Sequence, residues 1–297
     1  MNISNGVKSV AIIGAGKVGQ TIGRILHRSG RYRIKAVWSR RKSGQAVRFI
    51  GRGVMISRTP EDAARYGQIV LITTPDDAIK STYERLARAN AFQDKTTVIH
   101  CSGNFSHQIF KHINRSKNIS LGSLHPLQTF TGPRRTLKGI YCVYEGEPDA
   151  LREIKLIISV LGGRPIRINP ANKPLYHCAG VIVSNYLVTL INIGRQFLKA
   201  AGFKDNESIK ALQPLINATF DNIKAVGVPK SLTGPVARGD ISTIRNHLAI
   251  IRKKLPSHLH FYRIFGNYTV DIARAKRSIN NSQAVQLRKL FGGKDTK

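Results

Sequence analysis

The chain of 297 residues has few acidic residues and few cysteines, and its apolar runs are short. It holds 16 aspartates and glutamates against 48 lysines and arginines, so its formal net charge is +32. The three cysteines are widely spaced and form no CxxC pair, which argues against a disulfide framework or a zinc site. The longest apolar stretch, residues 178–193, is short for a membrane span and contains Ser184, Asn185 and Asn192. We interpret it as a buried helix or a subunit-interface helix.

The positive charge is spread along the chain rather than concentrated. Residues 1–169 hold 28 basic against 10 acidic residues, and residues 170–297 hold 20 against 6. A dedicated nucleic-acid surface is expected to cluster its cations and to interleave them with aromatic residues. We therefore interpret the charge as a general basic surface that attracts anionic cofactors and substrates. At low salt it also allows non-specific contact with nucleic acid, which we do not predict as the function.

A glycine-rich turn near the N-terminus predicts a dinucleotide site. The apolar run at residues 10–13 leads directly into Gly14-Ala-Gly16-Lys-Val-Gly19, and helical spacing follows. In this position Gly14 permits a tight turn, Gly16 lets the backbone approach a pyrophosphate, and Gly19 allows the helix to pack closely on the strand. The helix N-terminus adds free N–H donors. The predicted cofactor-binding residues of this turn are Gly14, Ala15, Gly16, Lys17, Val18 and Gly19.

The end of the second predicted strand, residues 34–38, indicates which dinucleotide is bound. Ser39-Arg40-Arg41 follows it, and no acidic residue stands between Gly14 and Glu61. An NAD site usually places a carboxylate here for the ribose hydroxyls, whereas a 2′-phosphate favours arginine and small hydroxyl side chains. We therefore predict NADP as the cofactor. Further contacts, mostly through the backbone, are predicted after the fourth strand, from Thr73, Thr74 and Pro75, with Asp76 as the cap of the next helix.

Predicted strands alternate with helices up to residue 169. The strand-like runs are residues 10–13, 34–38, 54–56, 68–73, 96–100, 119–124, 140–144 and 164–168, and helical spacing is found at 76–89, 106–116 and 148–161. This alternation predicts an α/β fold with a doubly wound, mostly parallel Rossmann sheet. The later segments 173–201, 206–226, 240–254, 257–278 and 282–290 are all helical in pattern.

We therefore predict two domains. Residues 1–169 form a Rossmann-like NADP-binding domain, and residues 170–297 form an all-helical domain for substrate binding and dimerisation. The active site is expected between the two, beyond the carboxyl ends of the strands. The N-terminus lacks a basic region followed by an apolar core, so no signal peptide is predicted and a cytoplasmic location is expected.

Polar residues at predicted strand ends are candidates for the chemistry. His125 precedes Pro126 at the end of a strand, which holds it in an extended conformation toward the crevice. Imidazole titrates near neutrality and can exchange the proton that accompanies hydride transfer. Ser102 follows the preceding strand, where it is suited to bind a substrate or the nicotinamide carboxamide.

The second half supplies further candidates. His177 and Ser184 share one face of the first long helix, and Asn185 is only slightly rotated from them. Polar groups on an otherwise apolar helix need partners when they are buried. Arg238 lies in a glycine-rich connection and is suited to clamp a carboxylate, while Asp240 is predicted to cap the next helix. The candidate catalytic residues are thus His125, His177, Ser184, Asn185, Ser102 and Arg238.

Three motifs resemble a little-characterised family of NADP-binding oxidoreductases, which join a Rossmann-like domain to a helical domain of unknown function. They are Leu124-His-Pro-Leu-Gln-Thr-Phe130, then Tyr176-His177 with Ser184-Asn185, then Leu232-Thr-Gly-Pro with Arg238-Gly-Asp240 and His247-Leu248. More distantly, the chain is similar to ketopantoate reductase, pyrroline-5-carboxylate reductase, prephenate dehydrogenase and the β-hydroxyacid dehydrogenases. The resemblance implies a homodimer through the helical domain.

The proton donors of the distantly similar families have only partial counterparts in this chain. His125-Pro126 matches the catalytic His-Pro motif of prephenate dehydrogenases, but the glycine that usually follows is absent. The catalytic lysine of β-hydroxyacid dehydrogenases stands one helical turn before an asparagine, a position that Val181 occupies relative to Asn185. The lysine chemistry therefore does not carry over, and His125 and His177 are alternative donors.

We expect an NADP-dependent oxidoreductase that transfers hydride to or from a small carboxylate-bearing metabolite. A 2-oxo acid such as ketopantoate is the first candidate, on resemblance alone. Two alternatives stay open: an imine or pyrroline-carboxylate reductase, and a non-catalytic NADP-binding sensor whose basic surface associates with nucleic acid. The expected partners are an anionic small molecule and a second copy of the chain, with no membrane and no metal.

Overall fold

The computed structural model describes residues 6–41, 43–110 and 118–293. The chain divides into two compact units, residues 1–185 and 186–297. The first unit extends past the predicted domain boundary between residues 169 and 170, because it includes the start of the first long helix of the helical half.

One sheet of eight strands forms the centre of the first unit. The strand order is β3-β2-β1-β4-β5-β6-β7-β8, and every neighbouring pair is parallel except the antiparallel β6 and β7. The doubly wound, mostly parallel sheet predicted from the sequence is confirmed, and each predicted strand is present. The strands are β1 (Lys8–Ile13), β2 (Tyr32–Trp38), β3 (Met55–Ile56), β4 (Ile69–Ile72), β5 (Thr97–His100), β6 (Ser120–Pro126), β7 (Tyr141–Gly146) and β8 (Arg164–Arg167).

Helices cover both faces of this sheet, because successive strand residues point to opposite sides and most of them are apolar. On one face Ile12 packs with side chains of α1, α2 and α5, including Ile22 and Ile154. On the other face Ile13 packs with α3 and α4, including Tyr83. These helices are α1 (Lys17–Arg28), α2 (Ser43–Ile50), α3 (Pro60–Ala64), α4 (Asp76–Arg88) and α5 (Pro148–Leu161).

Two local predictions in this unit differ from the structure. Asp76 was predicted to cap α4, but Pro75 occupies the cap position and Asp76 is the first helical residue. The Asp76 carboxylate instead accepts a hydrogen bond from Ser102 Oγ at 2.7 Å. The helix predicted at residues 106–116 is a short 3-10 turn, His107–Phe110, and residues 111–117 lie outside the described part of the chain.

Every described secondary-structure element of the second unit is a helix, as predicted. Its core is formed by apolar side chains of α11, α12 and α13, among them Ile244, Val270 and Leu287. Asp240 caps α11 by accepting a hydrogen bond from the Thr243 N–H at 3.0 Å, which confirms that prediction. The helices are α7 (Leu187–Ala200), α8 (Asp205–Val226), α9 (Val228–Ser231), α10 (Pro235–Arg238), α11 (Ile241–Lys254), α12 (Leu259–Ala275) and α13 (Asn281–Phe291).

An apolar helical stretch runs from the first unit into the second. Helix α6 (Lys173–Val181) continues through a π-helical turn, Ile182–Tyr186, into α7. By length and composition alone, the stretch Pro170–Ala200 could cross a membrane, with a mean hydropathy of 1.4 in its most apolar window. None of that window is buried. Of the two sequence interpretations, the buried helix is wrong, and the subunit-interface helix stays a prediction.

Candidate functional site

The glycine turn packs tightly on the carboxyl ends of the central strands. Gly14 has a φ of +95°, and a Cβ at this position would lie 2.7 Å from the Thr74 nitrogen. Its own N–H donates to the Trp38 carbonyl at 2.8 Å, which ties the turn to the end of β2. A Cβ on Gly19 would lie 2.6 Å from the Gly14 carbonyl oxygen. Both positions therefore require glycine, and Gly19 serves the packing of α1 on the turn.

A cavity of about 450 Å³ opens beside this turn, and we call it the glycine-loop cavity. All the predicted cofactor residues line it except Gly19, which packs beneath it, and Arg41. Arg41 is exposed and lies outside the lining. Two further aromatic side chains, Trp38 and Phe130, complete the wall. The full lining is Gly14, Ala15, Gly16, Lys17, Val18, Trp38, Ser39, Arg40, Thr73, Thr74, Pro75 and Phe130.

The glycine-loop cavity suits an anionic dinucleotide. Helix α1 starts here with Gly16 at its cap position, no side-chain cap and no acidic residue in its first turn, so backbone N–H donors stay available. A Cβ on Gly16 would meet no atom of the described residues within 4 Å, which leaves room for a close ligand. Thr74 Oγ1 is buried without a hydrogen-bond partner among the described residues. The lining includes Arg40 and contains no carboxylate.

A second cavity, of about 440 Å³, lies at the end of β6, and we call it the histidine cavity. His125 enters it from the strand, and Tyr176 and His177 enter it from α6. The Tyr176 hydroxyl lies 2.7 Å from His125 Nδ1, and the ring centroids of His125 and His177 are 6.2 Å apart. The lining is His125, Leu127, Gln128, Thr129, Phe130, Tyr176, His177, Gly180, Val181, Val183, Ser184 and Asn185.

Gly103, in the loop after β5, makes room for the two histidines. A Cβ there would lie 2.7 Å from His177 Nδ1 and 3.0 Å from His125 Nε2. The first distance is shorter than real Cβ contacts and the second is tighter than most of them, so a larger residue would displace the rings. No local sequence pattern marks this glycine, because the need for it arises from contacts between three separate segments of the chain.

Burial sets the protonation of the His125–Tyr176 pair. Burial, and then electrostatic interactions with Lys173 and His177, lower the pKa of His125 to about 4. Burial raises the pKa of the Tyr176 hydroxyl above its ordinary value. At neutral pH the imidazole is therefore neutral and the phenol is protonated. The pair can share or pass one proton without any net charge in the resting cavity.

A buried ionic group that no sequence prediction included joins the start of α6 to the sheet. The Lys173 side chain is fully buried, and its ammonium donates to the Ser102 carbonyl at 2.9 Å and to the Ser123 hydroxyl. Glu145 Oε1 lies 3.8 Å away. The same carboxylate accepts hydrogen bonds from the backbone N–H and the ring of His107. A sequence signal exists, because a lysine at the first position of a helix opposes the helix dipole.

Four of the predicted catalytic residues line one cavity of the first unit, and the other two are not part of its lining. His125, His177, Ser184 and Asn185 all line the histidine cavity. Ser102 does not; its hydroxyl accepts from two backbone N–H groups and donates to Asp76, which makes it part of the loop's internal bonding. Arg238 ends α10 in the second unit, where it is exposed, and its proposed role as a carboxylate clamp stays a prediction.

The two cavities of the first unit adjoin each other. Phe130, which follows the His125-Pro126 motif after β6, lines both of them. Ligands in the glycine-loop cavity and in the histidine cavity would therefore both contact Phe130. Neighbouring cavities of this kind can bring a dinucleotide and a substrate close to each other.

Two family models match the chain. A Rossmann-like domain matches residues 1–126, and a domain of unknown function (DUF2520) matches residues 140–269. Together they leave only a short connection and the C-terminal residues unmatched.

The chain is similar over most of its length to solved structures with the same fold. A Bacteroides fragilis protein that carries the name NADP oxidoreductase is 19% identical, with a TM-score of 0.72 over 92% of this chain and 99% of its own. A Thermotoga maritima protein is 25% identical, with a TM-score of 0.69 over 90% of this chain and 99% of its own. The Plasmodium falciparum pyrroline carboxylate reductase with NADP bound is 12% identical, with a TM-score of 0.57 over 97% and 99%.

Proposed function

We propose that this chain is an NADP-dependent oxidoreductase acting on a small molecule. Its two halves match models of a Rossmann-like domain and of a DUF2520 domain. The observation that carries the proposal is the adjacency of the glycine-loop cavity and the histidine cavity at Phe130. The first suits a dinucleotide, and the second holds a proton-exchanging pair. The fold shared with an NADP-bound pyrroline carboxylate reductase supports the same conclusion.

The residues of the glycine-loop cavity would hold the cofactor. We expect Gly16 and the first turn of α1 to bind the pyrophosphate through backbone N–H groups. We expect Ser39 and Arg40 to bind the 2′-phosphate, because both line the cavity and the lining contains no carboxylate that would repel it. Thr74 Oγ1 gains a hydrogen-bond partner when the cavity is filled. NADPH, when bound, supplies a hydride.

The His125–Tyr176 pair would supply the proton that accompanies the hydride. In the direction of reduction, Tyr176 Oη gives its proton to the oxygen or nitrogen of the substrate as the double bond becomes single. His125, with its proton on Nδ1, donates to Oη at 2.7 Å and stabilises the phenolate that forms. In oxidation the same groups accept the proton. His177 stays the alternative donor, because it lines the same cavity.

Two substrate classes follow from different observations. A 2-oxo acid such as ketopantoate is the candidate from resemblance and from the basic surface, with Arg238 as the proposed carboxylate partner. An imine without a carboxylate is favoured by the lining of the histidine cavity, since none of its residues is a lysine, an arginine or a carboxylate. A substrate without a carboxylate leaves no unpaired anion in such a cavity.

The test begins with NADPH fluorescence, titrated with the protein, followed by a panel of 2-oxo acids and imines. We expect NADPH binding and oxidation with members of one class. In that assay Tyr176→Phe should lower kcat by about 100-fold or more, while the Kd for NADPH changes less than twofold. Tyr268→Phe, at an exposed tyrosine of the second unit, is the matched control. NADPH binding with no turnover on either class would favour the sensor alternative, and no binding would overturn the proposal.

We also propose a homodimer formed through α7 and α8. The described residues of α7 include no buried side chain, although Val188 is 68% exposed and strongly apolar. On α8, Leu215 is 65% exposed. Apolar faces of this kind usually mark an interface with another chain. Light scattering after gel filtration should give twice the chain mass of 32.9 kDa.

A matched pair of variants tests this interface. Val188→Glu should shift the protein to the monomer mass, whereas Val285→Glu, on the equally exposed Val285 of α13, should not. A monomer for the unmodified chain would refute the dimer. Flotation of the unmodified chain with lipid vesicles would show that the apolar helix serves a membrane instead.

We further propose a cytoplasmic location without a nucleic-acid function. Cys101, Cys142 and Cys178 are all free thiols, which suits a reducing compartment. The dispersed charge predicts RNA binding that disappears at moderate salt. RNA affinity that survived 0.3 M salt (about twice physiological ionic strength) and competed with NADPH would contradict this.

A further inference from the structure

Lys173 connects helix α6 to three neighbouring strands of the sheet, β5, β6 and β7. Its ammonium donates to the carbonyl of Ser102, directly after β5, and to the hydroxyl of Ser123, on β6. Its third neighbour, Glu145, belongs to β7. One fully buried charge thus contacts three separate segments, and it does so from the first residue of the helix.

The side chains of the proton-exchanging pair lie immediately beyond these contacts. Tyr176 stands three residues after Lys173 on α6, nearly one helical turn away. His125 stands two residues after Ser123 on β6, on the same face of the strand. The bond from Lys173 to Ser123 and the bond from Tyr176 to His125 therefore run side by side between the same two elements.

Burying the Lys173 ammonium costs more free energy than a purely structural contact would justify. Burial lowers the pKa of Lys173 to about 8, against the raising effects of Glu145, Cys101 and Asp76. The charge also stands at the helix end where the dipole is unfavourable to a cation. A well-packed apolar residue would give similar or greater stability at such a position. A buried cation here is therefore better explained by its effect on neighbouring polar groups.

We propose that Lys173 is a positioning residue for the reaction proposed above: its buried ammonium holds the start of α6 on β5, β6 and β7, so that Tyr176 meets His125. The inference rests on the proposed function for its effect on turnover. Its second effect is electrostatic, because the ammonium also acts on the imidazole of His125. The groups that act on His125 are Lys173, His177 and Tyr176 from α6 and His100 from β5.

The test uses full-length protein labelled in histidine, with the His125 ring signal assigned by comparison with His125→Gln. We expect Lys173→Met to raise the pH at which this ring titrates by roughly one unit, because a nearby positive charge is removed. With a substrate found, kcat should fall about tenfold or more, with an unchanged Kd for NADPH. Lys155→Met, at an exposed lysine of α5, is the control and should change neither quantity.

A second variant distinguishes the positioning effect of Lys173 from the effect of its charge. It also keeps the proposal testable if Lys173→Met does not fold. Ser123→Ala removes one bond of the ammonium but keeps its charge, so kcat should fall several-fold while the His125 titration stays near that of the unmodified chain. A folded Lys173→Met protein with unchanged titration and turnover would overturn the proposal. If Lys173→Met does not fold, an unchanged kcat in Ser123→Ala would overturn it. A shifted titration without turnover on any substrate would refute the proposed function alone.

Discussion

Replacement of Arg40 by alanine tests which dinucleotide the glycine-loop cavity binds. Arg40 and Ser39 are the polar side chains at the end of β2 that line the cavity, and no carboxylate lines it with them. NADPH differs from NADH only in the 2′-phosphate, so an arginine that binds this group affects one cofactor and not the other. The variant therefore measures a single interaction rather than the whole site.

The expected size follows from the exposure of the side chain. A hydrogen bond to a charged group contributes about 1.5–3 kcal/mol, and solvent screening around the exposed Arg40 favours the lower end. The Kd for NADPH should rise about 10- to 30-fold, whereas that for NADH should change less than twofold. At about 1 M salt, where the screening length falls to roughly 3 Å, the difference between variant and unmodified protein should largely disappear.

Fluorescence titration of both cofactors gives these constants without knowledge of the substrate. Arg41→Ala is the matched control, because Arg41 is exposed next to Arg40 but lies outside the lining. Equal losses for NADPH and NADH would show a general disturbance of the turn. Equal effects of the two arginine variants would show that only the overall charge matters, and tighter binding of NADH by the unmodified protein would refute the assignment to NADP.

Three further outcomes follow from contacts in the first unit. Gly103→Ala should lower kcat/KM about tenfold or more with an unchanged Kd for NADPH, because its Cβ would displace the rings of His125 and His177; normal turnover would refute that geometry. Thr74→Val should raise the melting temperature yet weaken NADPH binding, since its buried hydroxyl lacks a described partner; a lower melting temperature would contradict this. The folded pKa of His125, about 4 against 6.5 when unfolded, means that its neutral form is favoured by folding. Its share of the unfolding free energy, about 3 kcal/mol, is complete above pH 6.5 and is lost as the pH falls toward 4. In denaturant titrations at a series of pH values, the unfolding free energy of His125→Asn should lack this contribution to its dependence on pH.

Local patterns predicted all eight strands and the longer helices of this fold, but not the short helices α2, α3, α9 and α10. The apolar runs bounded by glycine and polar residues correspond to all eight strands, and the second half is helical where the spacing indicated it. The errors concern features that depend on neighbours: the cap of α4 is Pro75, and the long helix contains a π-helical turn at residues 182–186. Its apolar side chains are exposed, which composition alone does not reveal, because apolar residues suit a core and an interface equally.

The sequence by itself determined the glycine turn and the basic, acid-free segment after β2 that suits a phosphate. It also determined the residues after β4 that line the same cavity, because each of these features depends on residues close together in the chain. It also indicated His125, from the proline that follows it. Only the tertiary structure decided that Tyr176 meets His125, that Gly103 makes room for both histidines, and that Lys173 is buried against the sheet. The side-chain hydrogen bonds of Tyr176 and Lys173 join segments 50 to 71 residues apart, and no local pattern specifies which distant side chains the packing of a sheet brings together.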